Sequence, residues 1–168
     1  MTTINNYKTH TLMKEKVLET LAALGFNAEC IDNTGYGFNY EGKHFLFLPN
    51  ENDDEFLSIC LPGIYDYKED KIGEHCAITE KLNSTLKYVK AYTIGDSIWL
   101  FYERELMGDD DLENIIPHMI VQLDAGLRFA FDAIKEIEAS FSEDSDTDAT
   151  SDVEAAELYD DTEDDKDE

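Results

Sequence analysis

Residues Lys87 to Glu105 read KYVKAYTIGDSIWLFYERE, and the fold turns on how this stretch is read. Two runs rich in β-branched and aromatic residues flank Gly95-Asp96. Such a pair closes a two-residue β-hairpin, with glycine supplying the positive φ that the turn demands. Ile94 then faces Ser97, Tyr92 faces Trp99, Lys90 faces Phe101 and Tyr88 faces Glu103. Side chains alternate along a strand, so the other face carries Val89, Ala91, Ile98, Leu100 and Tyr102. That second face is aliphatic and suits helices. The first holds two tyrosines, the only tryptophan and a phenylalanine, an unusual set to leave in water.

The 168 residues suffice for one domain with a sizeable core, and 42% hydrophobic with 11% aromatic residues fits a folded chain. The net charge of −26 is spread unevenly. Residues 142–168 hold 14 acidic side chains and one lysine, against 25 acidic and 12 basic in residues 1–141. Each part therefore carries −13. An acidic body argues against nucleic acid as a partner, because phosphate binding draws its affinity from basic groups that displace counterions. It argues equally against adhesion to an anionic membrane surface. No apolar run approaches the length of a membrane span; Phe45-Leu46-Phe47-Leu48, for example, is closed by Pro49. The first residues, MTTINNYKTHTLMKEK, lack the basic and then apolar regions of a signal peptide. Cys30, Cys60 and Cys76 are odd in number, and no C-x-x-C pair occurs. Buried free thiols in a reducing cytoplasm are the expectation.

Taken in order, residues 1–10 are polar and read as a flexible arm. Thr9 or Thr11 can cap a helix in which Met13, Val17, Leu21 and Leu24 recur at helical spacing. Gly25 should stop it, with Phe26 as a hydrophobic anchor. Strands follow at close intervals: Asn27–Asp32, as a full strand or an edge fragment, then Tyr36–Glu41, Lys43–Leu48 and Glu55–Leu61, the last stopped by Pro62-Gly63. Nothing between them offers the helical crossover that parallel strands need, so the pairing should be antiparallel. Helical spacing returns from Asp70 to Leu86, weakened by Gly73. After the hairpin, Asp109-Asp110-Asp111 suits a helix N-terminus, and Ile116, Met119, Ile120, Leu123, Leu127, Ala130, Ile134, Ile137 and Phe141 trace the apolar stripe of a long last helix. Pro117 falls inside it and should remove a hydrogen bond. Residues 142–168 read as a disordered acidic tail. The expected fold class is α+β, an antiparallel sheet of about five strands in the order α-βββ-α-ββ-α.

This order, and the words within it, resemble the YbjN family and its type III secretion chaperone-like fold. The residues that carry the likeness are Gly25-Phe26, the strand and turn Phe38-Asn39-Tyr40-Glu41-Gly42-Lys43, the helix end Lys81-Leu82-Asn83, the hairpin Lys87–Phe101, and the Asp-Leu-Glu start of the last helix. It spans residues 11–141, the acidic tail lying outside the pattern. The resemblance implies the first and last helices on one face of the sheet, often a homodimer, and no catalytic residue.

The strongest candidate site is the aromatic face of the hairpin, Tyr88, Lys90, Tyr92, Trp99 and Phe101, as a partner or dimer interface. Contiguous exposed apolar surface marks such sites, although these rings could equally be core beneath the second helix or the remaining strands. A Tyr92–Trp99 cross-strand pair, with Lys90 over Phe101, would brace the ladder. Asp144, Asp146, Asp148, Thr150 and Asp152 mimic a calcium loop, but Ala149 stands at the obligatory glycine and Ala155 where a bidentate glutamate is needed. Asn50, Asn52 and Asp54 fail similarly at Glu55. His10, His44, His75 and His118 show no zinc spacing, and no phosphate loop or nucleophile elbow occurs. Glu103 and Glu105 share a strand face but read as exposed strand-end charges. No cofactor and no metal is expected. The reading is a non-enzymatic cytoplasmic module, chaperone-like or regulatory, that binds a partner protein or peptide through its sheet and forms a homodimer. The alternative is an acidic mimic of nucleic acid, which would need charges on a rigid surface rather than on a tail.

Overall fold

The computed structural model describes the backbone of residues 5–156 apart from 33, 51 and 54, and side chains between 13 and 143. Its elements are α1 (Asn5–Ala23), β1 (Glu29–Ile31), β2 (Gly35–Tyr40), β3 (Lys43–Phe47), β4 (Phe56–Asp66), α2 (Ile72–Thr85), β5 (Val89–Ile94), β6 (Ser97–Glu105) and α3 (Leu112–Ala156). A short 3₁₀ turn, Glu69–Lys71, leads into α2. The expected α+β class holds. The sheet has six antiparallel strands rather than five, in the order β1-β2-β3-β4-β6-β5. Asn27–Asp32 contributes only the three-residue edge strand β1.

The hairpin register is the expected one: Ile94 pairs with Ser97, Tyr92 with Trp99 and Lys90 with Phe101. Gly95 alone in this turn has positive φ, +57°, the pattern of a type II′ turn. The β2–β3 hairpin differs. Both Glu41 (+48°) and Gly42 (+76°) are left-handed there, as a type I′ turn requires.

Pro62-Gly63 does not end β4. The strand runs on to Asp66, because a bulge absorbs the pair: Leu61 lies opposite Leu100 and Tyr65 opposite Ile98, so Pro62, Gly63 and Ile64 of β4 stand against Trp99 alone of β6. At a bulge the missing proline N–H interrupts no ladder bond, and Gly63 supplies φ +63°.

Helix ends follow their local chemistry. The Gly25 N–H donates to the Ala22 carbonyl at 3.0 Å and the Phe26 N–H to Leu21 at 2.8 Å, a Schellman closure with Gly25 at φ +87°. The Phe26 ring then meets Phe38 at 5.3 Å. At the start of α3 the Glu113 N–H donates to Asp111 Oδ1 at 3.0 Å. Pro117 lies inside α3.

Two boundaries differ from expectation. The helix α1 begins at Asn5, so Thr9 and Thr11 are inside it; residues 1–4 lie outside the described residues. Likewise α3 continues past Phe141 to Ala156, into the acidic segment expected to be unstructured; residues 157–168 lie outside the described residues. In both places no glycine or proline intervenes, and extending a formed helix avoids the cost of nucleating one. The side chains of the calcium-loop mimic also lie outside the described residues.

All three helices pack on one face. Val17 and Leu21 of α1, Ile78 and Leu82 of α2, and Ile116, Met119, Ile120 and Leu123 of α3 share one core with Phe45, Ile59, Val89, Ala91, Ile98 and Leu100. This corrects the idea of α2 as a cover for the aromatic face. Gly73, which looks like a helix weakness, is where the Phe141 ring sits: a Cβ there would come within 2.8 Å of it. A side chain at 73 would push this partly exposed ring aside.

Candidate partner-binding face

With the helices on one side, the other side of the sheet is built from alternate residues of the same strands. Across the middle, Gly37, Leu46, Cys60, Phe101 and Lys90 stand side by side on β2, β3, β4, β6 and β5. Leu46, Cys60 and Phe101 are buried as a small second cluster, with Leu48 and Trp99 packed on it. Trp99 stacks on Phe101 at 6.2 Å, and its indole N–H donates to Ser97 Oγ at 2.9 Å. Tyr92 (43% exposed) and Ile94 (44%) stand open beside them. The face is therefore neither plain core nor bare: Phe101 is roofed by its strand neighbours, while Tyr92 and Ile94 reach water.

Three of the five expected residues, Tyr92, Trp99 and Phe101, are thus brought together. Tyr92 is opposite Trp99 in register, yet its ring leans on Phe101 at 5.2 Å. Lys90 does not sit over Phe101. Its ammonium donates to the Asn83 and Leu86 carbonyls at 3.2 and 3.5 Å, since a cation is stabilised at the C-terminal end of α2. Tyr88 moves to the margin of the face. It precedes β5, and its ring stacks on Tyr102 at 5.7 Å and meets His118 edge-on, on the helix side. There the chain peels away from β6, opening a hollow of about 490 Å³ bordered by Lys87, Tyr88, Lys90, Tyr92 and Phe101 to Glu105, so four of the five expected residues border it.

Sequence reasoning missed what closes the sheet edge. In a two-residue hairpin the backbone of Ala91 points outward from the ladder. Asn83 of α2 takes both groups: the Ala91 N–H donates to Oδ1 at 2.8 Å, and Nδ2 donates to the Ala91 carbonyl at 3.0 Å. The side chain stands in for a neighbouring strand. A helix-terminal asparagine is a visible signal, but its partner lies eight residues on and is set by the packing of α2.

The titratable groups serve the scaffold. Burial first, and the Glu103 charge second, push the Cys60 thiol up to about 12, so it remains protonated at neutral pH. Contrary to expectation, Cys30 and Cys76 are exposed, Cys30 on the edge strand β1, whose three residues are all exposed; only Cys60 is buried. His75 is buried, with Nε2 2.8 Å from Thr93 Oγ1, and burial lowers its pKa. Its neighbour Cys76 faces away, as adjacent helical residues must. The Tyr65 hydroxyl donates to Glu74 at 3.1 Å and Glu138 at 3.4 Å, joining β4, α2 and α3; burial and then the Glu74 hydrogen bond raise its pKa. Asp124 on α3 meets Lys43 Nζ at 2.7 Å and Arg128 at 2.6 Å. Burial alone would raise its pKa; the two cations outweigh that and hold it below the usual carboxylate range. Among the described residues no three of His, Cys, Asp and Glu gather as a metal site, and no helix is long and apolar enough to cross a membrane.

Neither a protein-family model nor a curated protein matches the sequence. Solved structures do match the fold. An uncharacterised protein from Methanothermobacter thermautotrophicus superposes with a TM-score of 0.53 at 14% identity, over 74% of this chain and 97% of its own. YbjN from E. coli, a candidate transcription regulator, superposes with a TM-score of 0.52 at 14% identity, over 71% of this chain and 91% of its own. The hairpin register, the one-sided helices and these superpositions together give the chain a YbjN-like fold.

Proposed function

We propose that this protein is a non-enzymatic interaction module, chaperone-like or regulatory, that binds a partner protein or peptide through the open face of its sheet. The observation that carries this is the one-sidedness of the fold: three helices cover one face, while Trp99, Tyr92 and Ile94 remain partly or largely uncovered on the other. Aromatic residues offering contact area at low entropic cost are typical anchors of such surfaces. The description of YbjN as a candidate transcription regulator supports the regulatory form of the reading. A second copy of the chain is one occupant to be tested, by light scattering. The decisive experiment replaces Trp99 with alanine. Weaker partner capture or dimerisation with little change in melting temperature supports the reading. A loss of folding with no separable binding defect would return Trp99 to the core and sink it.

A further inference from the structure

The open face has a charged rim. Register places Asp66 beside Ser97, and Glu103 and Glu105 beside Ser58 and Phe56, so these carboxylates share the face of Trp99 and Phe101. Glu29, opposite Gly37, adds a fourth at the far edge. Asp66, Glu105 and Glu29 are exposed, and Glu103 is half-buried, accepting a hydrogen bond from Ser58 at 3.1 Å. The strand cation on this face, Lys90, is turned onto the end of α2. An apolar centre of Trp99, Tyr92, Ile94 and Leu48 thus has carboxylates on several sides; Lys87 and Arg104 lie beside Glu103 and Glu105 at one end, Arg104 already paired with Asp110.

We infer that the occupant of this face is a cationic, amphipathic segment of another protein, its apolar side chains on Trp99 and Tyr92 and its lysines or arginines on Asp66, Glu103 and Glu105. The inference rests on the binding reading above and names the partner's chemistry. Charge decides between occupants. A second copy related by two-fold symmetry would bring like rims together, on chains that each carry −26. The chain's own residues 157–168, with eight carboxylates and one lysine, would meet the same repulsion. A cationic segment is steered in by the field and paired on arrival.

Trp99 is the only tryptophan, so its emission reports on this face directly. The test titrates the full-length protein with a twelve-residue peptide alternating lysine and valine, and with its glutamate counterpart. The expected result is a blue-shifted Trp99 emission with the lysine peptide alone, weakened by salt. Asp66→Asn/Glu103→Gln/Glu105→Gln should weaken it about tenfold while leaving the acidic C-terminal segment intact. Binding of the lysine peptide with no change at Trp99 would assign it to charges elsewhere and overturn the inference. So would an equal response to the glutamate peptide, although that outcome leaves the face a binding surface. A dimer whose formation itself shifts Trp99 would replace the cationic partner with a second copy. Should the triple variant fold poorly, the comparison of the two peptides on the unaltered chain decides alone.

Discussion

The two faces of this sheet are made by alternate residues of the same strands, yet they are finished differently. On the helix side, Ile59, Ile98 and Leu100 are fully buried, and their branched chains fit between helix ridges. On the other side the cover is one side chain thick: Phe101 and Cys60 are enclosed, while Tyr92 and Ile94 above them are nearly half exposed. Residues with an apolar body and a polar handle tolerate that position. Trp99 keeps its N–H satisfied by Ser97 without any helix overhead. The difference teaches where stability should lie: burial concentrates it on the covered face, and the open face should tolerate change. Substitutions on the two faces should separate cleanly.

The largest effect belongs to the covered face. Leu100→Ala removes a fully buried side chain from between the sheet and the helices, and should cost about 2–5 kcal/mol in urea unfolding. Next comes the pin between α3 and the β2–β3 hairpin. Asp124→Asn strips the partner from Lys43 and should cost about 1–3 kcal/mol, less than for a fully enclosed pair because the lysine can reach water. The pH dependence has a definite sign. The folded Asp124 pKa lies below its unfolded value, so its contribution is complete above about pH 4 and is lost as pH falls through the folded pKa. Unfolding midpoints measured from pH 7 to 2 should therefore fall less steeply in Asp124→Asn than in the unaltered chain. An equal slope would mean that Asp124 titrates in the folded protein as it does in the unfolded one.

Much of this contrast was legible in the sequence. Period-two alternation around Gly95-Asp96 set the register and both faces of the hairpin, since a slip of one residue would invert them. Gly25-Phe26 marked the end of α1 for a reason intrinsic to glycine. What could not be read was long-range. Pro62-Gly63 looks like a terminator unless a neighbouring strand is there to accept a bulge. Lys90 and Tyr88 alternate correctly with Tyr92, but the end of α2 captures one, and Tyr102 with His118 captures the other. The side of the sheet taken by α2 is set by Ile78 and Leu82 joining a core built from strands and helices far apart in the chain.

The edge strand between the two faces should show an intermediate effect. Asn83→Ala deletes both hydrogen bonds to Ala91 and leaves an outward N–H and carbonyl on β5. The expected cost is about 1–2 kcal/mol, with faster hydrogen exchange at the Ala91 amide as its local signature. A newly opened strand edge also invites pairing between molecules, so concentration-dependent association should appear in this variant. Asn83→Asp retains the acceptor but loses the donor and should fall between the two. Unchanged exchange at Ala91 in Asn83→Ala would mean that another group closes the edge.

The smallest effect is expected on the open face, and it sharpens the comparison most. Tyr92→Ala removes a ring that is 43% exposed and leans on Phe101. Part of its surface is already in water, and no helix lies above to leave a cavity beneath. The expected loss is about 1 kcal/mol, the scale of one cross-strand aromatic contact, with the cooperativity of unfolding unchanged. If Tyr92→Ala instead cost as much as Leu100→Ala, something would have to cover this face in solution, and the two sides of the sheet would be energetically alike. A small cost has a functional corollary. The Tyr92 ring is then free to be reorganised by a partner, because the fold does not depend on where it rests.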